Sequence, residues 1–240
     1  MGAHIVKLKD RKEVAEGTMA FFFDKPAGFE FVGGQSIDMT LIDPPQTDAE
    51  GNTRAFSLAS APHEPDLMIA TRLRDTAFKR VLKRLSLGSG VKIDGPFGSM
   101  TLHKKVARPA VILAGGIGIT PFRSMLREAT KASSGHRLFL FYSNRRPEDA
   151  AFLTDLQELA KLNSNFTLAA TMTDLEKSKV PWSGERGFIN KEMLVKYVGD
   201  LAGPIYYAAG PPALVAAMRQ MLSAAGVDED DIRSEDFSGY

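Results

Sequence analysis

The chain reads as two domains in series: an antiparallel β-barrel over residues 1–105, then an α/β domain with a doubly wound parallel sheet over residues 106–240. Three observations predict this. Up to about residue 105, short runs rich in β-branched and aromatic residues are bounded by Gly, Pro and Asp, the texture of hairpin-connected strands. From Pro109 onward, apolar runs alternate with helical patterns, as a parallel sheet covered on both faces requires. Between the two lies a basic stretch, His103-Lys104-Lys105 leading into Arg108-Pro109.

In the first domain, residues 14–23 and 29–41 are the opening strand candidates. Gly51-Asn52 marks a turn before a strand at 53–59, and 67–73 forms another. Phe78, Val81, Leu82 and Leu85 share a face at helical spacing, which predicts one helix. Residues 91–93 lead to Gly95-Pro96-Phe97-Gly98 and a last short strand near Thr101. In the second domain, the run 110–114 predicts a buried strand. A glycine turn follows, then a helix near Pro121, whose missing N–H has no partner in a first helical turn anyway. Strands at 138–142, 166–172 and 205–208 alternate with helices at 147–162, near Lys191 and at 212–224.

Composition excludes several function classes. Hydrophobic residues make up 44% and charged residues 25%, so the chain can bury a core. Thirty Lys+Arg against 29 Asp+Glu create no global field for nucleic acid or an anionic membrane. The absence of Cys excludes disulfides, thiolate zinc sites, cysteine nucleophiles and protein-bound iron–sulfur clusters. The four His lack metal-ligand spacing, so no metal site is expected. The longest apolar stretch, 110–122, is short for a membrane span and broken by three glycines. The first residues carry no signal-peptide run and Val6 departs from a myristoylation pattern, so the expectation is a soluble, cytoplasmic protein.

Five short motifs remain. Arg54-Ala55-Phe56-Ser57 ends a strand; a plain strand with a surface Arg and a core Phe also accounts for it. Thr76-Ala77-Phe78-Lys79 opens the helix, where free N–H groups suit a phosphate, although an ordinary helix capped by Thr76 or Asp75 reads equally well. Gly115-Gly116-Ile117-Gly118-Ile119-Thr120-Pro121 lies between a strand and a helix, the context in which glycines let a dinucleotide pyrophosphate approach. A tight turn without a ligand is the alternative. Ala209-Gly210-Pro211-Pro212 repeats that context, and Glu235-Asp236-Phe237 closes the chain as a site segment or a frayed tail.

Arg54-Ala55-Phe56-Ser57, Gly95-Pro96-Phe97-Gly98, the glycine turn 115–121 and Gly210-Pro211-Pro212, followed by Glu235-Asp236-Phe237, resemble in their order and spacing the ferredoxin–NADP reductase-like flavoprotein family over nearly the whole chain. The resemblance implies that Arg54 pairs with a flavin pyrophosphate and that Phe56, at a family Tyr position, lies against the flavin ring without the phenol's hydrogen bond. Ser57 would face the ring's reactive nitrogen. Ala70, Thr71, Thr76, Ala77, Phe78 and Lys79 complete the implied flavin set, with Lys79 standing in for a hydroxyl residue as a point charge. Phe237 would cover the ring. The implied nucleotide set is Gly115, Gly116, Gly118, Thr120, Pro121, Ser143, Gly210, Pro211 and Pro212. Thr120 sits where nicotinamide meets flavin, and Ala209 occupies a family Cys position. Ser57, Thr120 and Glu235 are the implied catalytic residues, Glu235 forming a proton path with Ser57. Asp174, after the third strand of the second domain, would accept hydrogen bonds from an adenosine ribose and repel a 2′-phosphate, favouring NADH over NADPH.

The resemblance therefore implies a flavin-dependent NAD(P)H oxidoreductase that passes hydride to bound FAD and then electrons to a separate acceptor, such as a ferredoxin-type carrier. Two alternatives stay open: a reductase of free flavin or small molecules, and a non-catalytic nucleotide-binding or regulatory subunit. FMN in place of FAD also stays open. Arg72, Arg74, Lys79, Arg80, Lys83 and Arg84 concentrate positive charge beside the flavin site. That reads either as a docking face for an acidic electron carrier or as a solvated helix face.

Overall fold

The computed structural model describes residues 2–237. Among these, six strands form the first sheet: β1 (His4–Ala15), β2 (Thr18–Asp24), β3 (Ser36–Leu41), β4 (Thr53–Ser57), β5 (Asp66–Arg72) and β6 (Gly90–Phe97). All neighbours are antiparallel, in the order β4-β3-β6-β1-β2-β5, and the edge strands β4 and β5 approach one another. Period-two alternation sets the inside: Val6 and Leu8 of β1 are buried, as are Ile37, Met39 and Leu41 of β3, while the residues between them face outward. Helix α1 (Ala77–Arg84) closes this core with Phe78, Val81 and Leu82.

The second sheet is parallel: β7 (Ala110–Gly115), β8 (Leu138–Asn144), β9 (Phe166–Met172), β10 (Glu185–Arg186), β11 (Ile205–Gly210) and β12 (Ile232–Asp236), in the order β10-β9-β8-β7-β11-β12. Helices α2 (Thr120–Lys131) and α3 (Leu153–Leu162) cover one face, where Phe122, Leu126 and Leu156 meet Ile112, Leu140 and Tyr142. On the other face α4 (Lys191–Val198) and α5 (Pro212–Ala224) bring Leu194, Val215 and Leu222 against Val111, Leu113 and Phe141. Burial on both faces explains why β7, β8 and β11 read as continuous apolar runs. The strand order reverses at β7, and the carboxyl ends of strands at such a switch point form a crevice suited to a ligand.

Several expected elements shift. The run 14–23 is broken at Gly17, whose φ of 66° makes the turn, and β1 begins ten residues earlier than expected, at His4. Of 29–41 only Ser36–Leu41 is a strand, and none forms at Thr101. The helix expected at 147–162 is split into a single 3-10 turn, Pro147–Asp149, and α3, with Phe152 at a φ of 61° just before α3. Residues 232–236 form a strand paired parallel with β11, so the frayed-tail alternative for 235–237 does not hold.

Polar ties join the two domains. Arg123 of α2, buried to 7% exposure, donates to the Ala59 carbonyl (2.6 Å) and bridges Glu64 (3.0 Å) and Asp155 (2.7 Å). Ser124 donates to the Ser60 carbonyl at 2.6 Å. In the connector between the sheets, buried His103 meets the Tyr207 hydroxyl through both its backbone N–H and Nδ1, each at 2.9 Å. Its Nε2 lies 3.0 Å from the Arg108 carbonyl.

Candidate functional site

A cleft of about 400 Å³ opens between the end of β4, the start of α1, the turn after β7 and the end of β12. From the first domain it collects Arg54, Phe56, Ser57, Ala70, Thr71, Thr76 and Lys79; from the second, Thr120, Glu235 and Phe237. Strand β4 ends at Ser57, so the alternation that would send Ser57 to the opposite face stops there, and all three motif side chains reach one cleft.

Each wall has a distinct chemistry. Thr76 is the N-cap of α1, its Oγ1 accepting from the Lys79 N–H at 3.3 Å. Lys79 is half-buried; desolvation, reinforced by Arg74 and Arg54, lowers its pKa, so a phosphate at its ammonium would relieve repulsion. Phe56 packs against Phe78 with ring centroids 5.8 Å apart, and the Arg54 guanidinium lies 5.3 Å above the Phe78 ring. Phe78 is therefore a core residue beneath the wall rather than part of its surface. Ala77 is likewise buried, and its backbone N–H donates to Asp48 Oδ2 at 3.1 Å. Thr120 Oγ1 donates to the Ile117 carbonyl at 3.1 Å. Glu235 sits on β12 opposite Ala209, and burial pushes its carboxyl pKa up. The Phe237 N–H donates to the Gly210 carbonyl at 3.0 Å, which fixes the tail at the cleft.

The other nucleotide-set residues do not line this cleft. Gly115, Ser143 and Gly210 stand at the carboxyl ends of β7, β8 and β11, with Gly115 in register with Ser143. The glycines answer a packing demand. A Cβ on Gly118 would fall 2.3 Å from the Ala209 carbonyl oxygen, and one on Gly115 would strike Leu214 at 2.6 Å and Pro211 at 3.1 Å. Gly210 has a φ of 149° and abuts the Gly115 backbone. The turns after β7 and β11 thus interlock. Gly116, with a φ of 53°, completes the first turn, Pro121 lies in the first turn of α2, and Pro211-Pro212 leads into α5. Asp174 follows β9 and pairs with Lys177 at 2.8 Å, while Arg146 turns away to Asp149 and Glu16.

Sequence reasoning missed Ser36, Glu50, Ile117 and Asp236 as cleft residues, and took Arg72 only as part of a basic run. The Arg72 Nε is buried and has no hydrogen-bond partner among the described residues, an open donor in the cleft wall. Three cations, three threonines, two serines and an aromatic wall, set against the carboxylates Glu50, Glu235 and Asp236, suit a flat aromatic ligand carrying phosphate. Among the described residues no cluster of potential metal ligands occurs, and no helix is long and apolar enough to cross a membrane.

Residues 112–220 match the oxidoreductase NAD-binding domain family. The chain is 29% identical over 223 residues to the glycine betaine monooxygenase reductase subunit of Chromohalobacter salexigens, covering 92% of this chain and 60% of that protein. It is 27% identical to a terephthalate 1,2-dioxygenase reductase component of Comamonas sp., covering 87% of this chain and 60% of the relative. The chain thus spans about 60% of the length of these curated relatives. Among solved structures, a Neisseria gonorrhoeae ferredoxin NADP+ reductase with bound FAD and NADP superposes with a TM-score of 0.79 at 20% identity, covering 98% of both chains. An Amycolatopsis cytochrome P450 reductase gives 0.81 at 21% identity, covering 98% of this chain and 70% of that one. These structural likenesses establish the fold.

Proposed function

We infer that this chain works as the ferredoxin–NADP reductase-like oxidoreductases do, because it shares their two-domain fold and its residues 112–220 match the oxidoreductase NAD-binding domain family. From that premise we propose that it is an NAD(P)H-dependent flavin oxidoreductase, taking hydride from a nicotinamide onto FAD and passing electrons to a separate acceptor. One observation carries the reading: Arg54, Phe56 and Ser57 of the first domain converge in a single cleft with Thr120, Glu235 and Phe237 of the second. A bound flavin supplies the hydride-accepting ring and the capacity to release electrons one at a time. Arg54 and Lys79 hold its phosphate, and Phe56 and Phe237 supply aromatic surface for the ring. Glu235 is placed to take or give a proton within the cleft, and Ser57 presents a hydroxyl to the reacting edge. Thr120, anchored to Ile117, marks the nicotinamide's approach. Asp174 favours NADH, because a 2′-phosphate would meet a carboxylate.

The relatives named as reductase components support a protein acceptor. The outward charges of the α1 region are Arg74, Lys83 and Arg84, since Lys79 lines the cleft and Arg80 is tied to Asp75 and Gln46. An acidic carrier fits that face, and its reduction should slow with ionic strength as screening grows. The test of the whole reading is an absorbance spectrum of purified protein mixed with FAD, before and after anaerobic NADH or NADPH. The expected result is a flavin spectrum bleached faster by NADH. Protein that takes up no flavin and oxidises neither nucleotide would overturn the reading.

A further inference from the structure

Both terminal nitrogens of Arg54 are already engaged by its own chain. Its Nη1 donates to the carbonyls of Glu50 (2.9 Å), Gly51 (3.1 Å) and Thr53 (2.7 Å). Its Nη2 bridges Asp48 Oδ1 at 3.0 Å and Glu50 Oε2 at 2.9 Å. The other Asp48 oxygen, Oδ2, accepts the N–H of Ala77, the first residue of α1, at 3.1 Å. One carboxylate therefore spans the guanidinium and the helix amide, two donors from separate parts of the first domain. Carboxylate and phosphate offer the same thing to such donors: a delocalised negative charge over oxygens that accept in parallel. Desolvation works against the charged form of Asp48, but hydrogen bonds from Arg54, Ala77 and Glu50 hold its pKa below the ordinary value, so the surrogate is an anion. The loop that carries it is exposed at Thr47, Ala49 and Glu50, so it can swing away without disturbing the core.

We propose that Asp48 is an internal phosphate surrogate, occupying Arg54 and the Ala77 amide until flavin displaces it, and thereby setting how tightly flavin is held. This rests on the reading that Arg54 receives a flavin phosphate. It makes flavin an exchanging ligand, loaded against a competitor that the chain itself provides.

The test titrates flavin-free protein with FAD, FMN and riboflavin, following the quenching of flavin fluorescence. Asp48→Asn removes the charge and Asp48→Ala removes the bridge. Both should tighten FAD and FMN on the order of tenfold, between the strength of an exposed ion pair and that of a charge-assisted hydrogen bond. Riboflavin, which has no phosphate, should bind all three proteins alike. Arg54→Ala should weaken FAD and FMN but not riboflavin. If Arg54→Ala weakens FAD while the Asp48 variants leave it unchanged or weaker, the surrogate fails and the phosphate reading stands. Unaltered FAD binding by Arg54→Ala overturns the phosphate reading itself. Equal tightening of riboflavin would show a widened cleft rather than a displaced competitor, and would also overturn the proposal.

Discussion

The two walls of the cleft are built in opposite ways. The first domain works by side chains: Arg54, Phe56, Ser57, Thr76 and Lys79 all project from strand ends and a helix start into the cleft. In the second, the motif works largely by the absence of side chains. Gly115, Gly118 and Gly210 let two turns pack backbone against backbone, and only Ile117 and Thr120 of that motif reach the cleft. The lesson is that a ligand motif in a sequence can mark either a set of contacts or the packing that positions them. Substitutions distinguish the two, because contacts are lost locally whereas packing takes stability with it.

The sharpest way to break this comparison is a matched pair. Gly118→Ala forces a methyl against the Ala209–Gly210 backbone, and overpacking of this kind costs about 1–3 kcal/mol. Ser57→Ala should leave the denaturation midpoint nearly unchanged, yet slow flavin reduction at least about tenfold, as loss of a proton-handling group does. Chemical denaturation of both variants checks the pair, and an undisturbed Gly118→Ala would erase the distinction between the walls. A smaller effect is expected from Phe237→Ala, because the tail stays pinned by its backbone bond to Gly210. Loss of the ring should weaken flavin or nucleotide binding by about 0.5–1.5 kcal/mol, measurable by titration.

The smallest expected effect lies in the connector. Burial lowers the His103 pKa, and neighbouring His136 and Arg233 oppose its charging. Its folded pKa is thus below the unfolded value of about 6.5, so the unfolded chain takes up the proton first. Stability should therefore fall as pH drops below that value, and His103→Gln should flatten the decline in pH-dependent melts. An unchanged profile would place the pH sensitivity elsewhere.

Much of this was legible in the sequence. Both sheets and the five helical regions follow from the texture and alternation of the apolar runs, and residues 54–57 and 235–237 line one cleft. The failures have physical causes. Strand β1 alternates Val6 and Leu8 with lysines, a weak apolar signal that only the barrel interior makes meaningful. Strand β12 holds a single apolar residue, Ile232, and exists because β11 offers an edge. Phe152 breaks a helical pattern with a left-handed φ that nothing local announces. Asp48 sits in an ordinary polar loop, and its role depends on Ala77, 29 residues away.

The joint made by Arg123 and Ser124 has a mechanical consequence. It grips the carbonyls of Ala59 and Ser60, two and three residues beyond Ser57, while Arg123 itself lies three residues beyond Thr120 on the same helix. Ser57 and Thr120 are thus the two jaws of a caliper whose pivot lies just behind them. Any shift at that seam is felt at once in the gap between the jaws, so the width of the cleft and the seam between the domains are one dimension of the molecule.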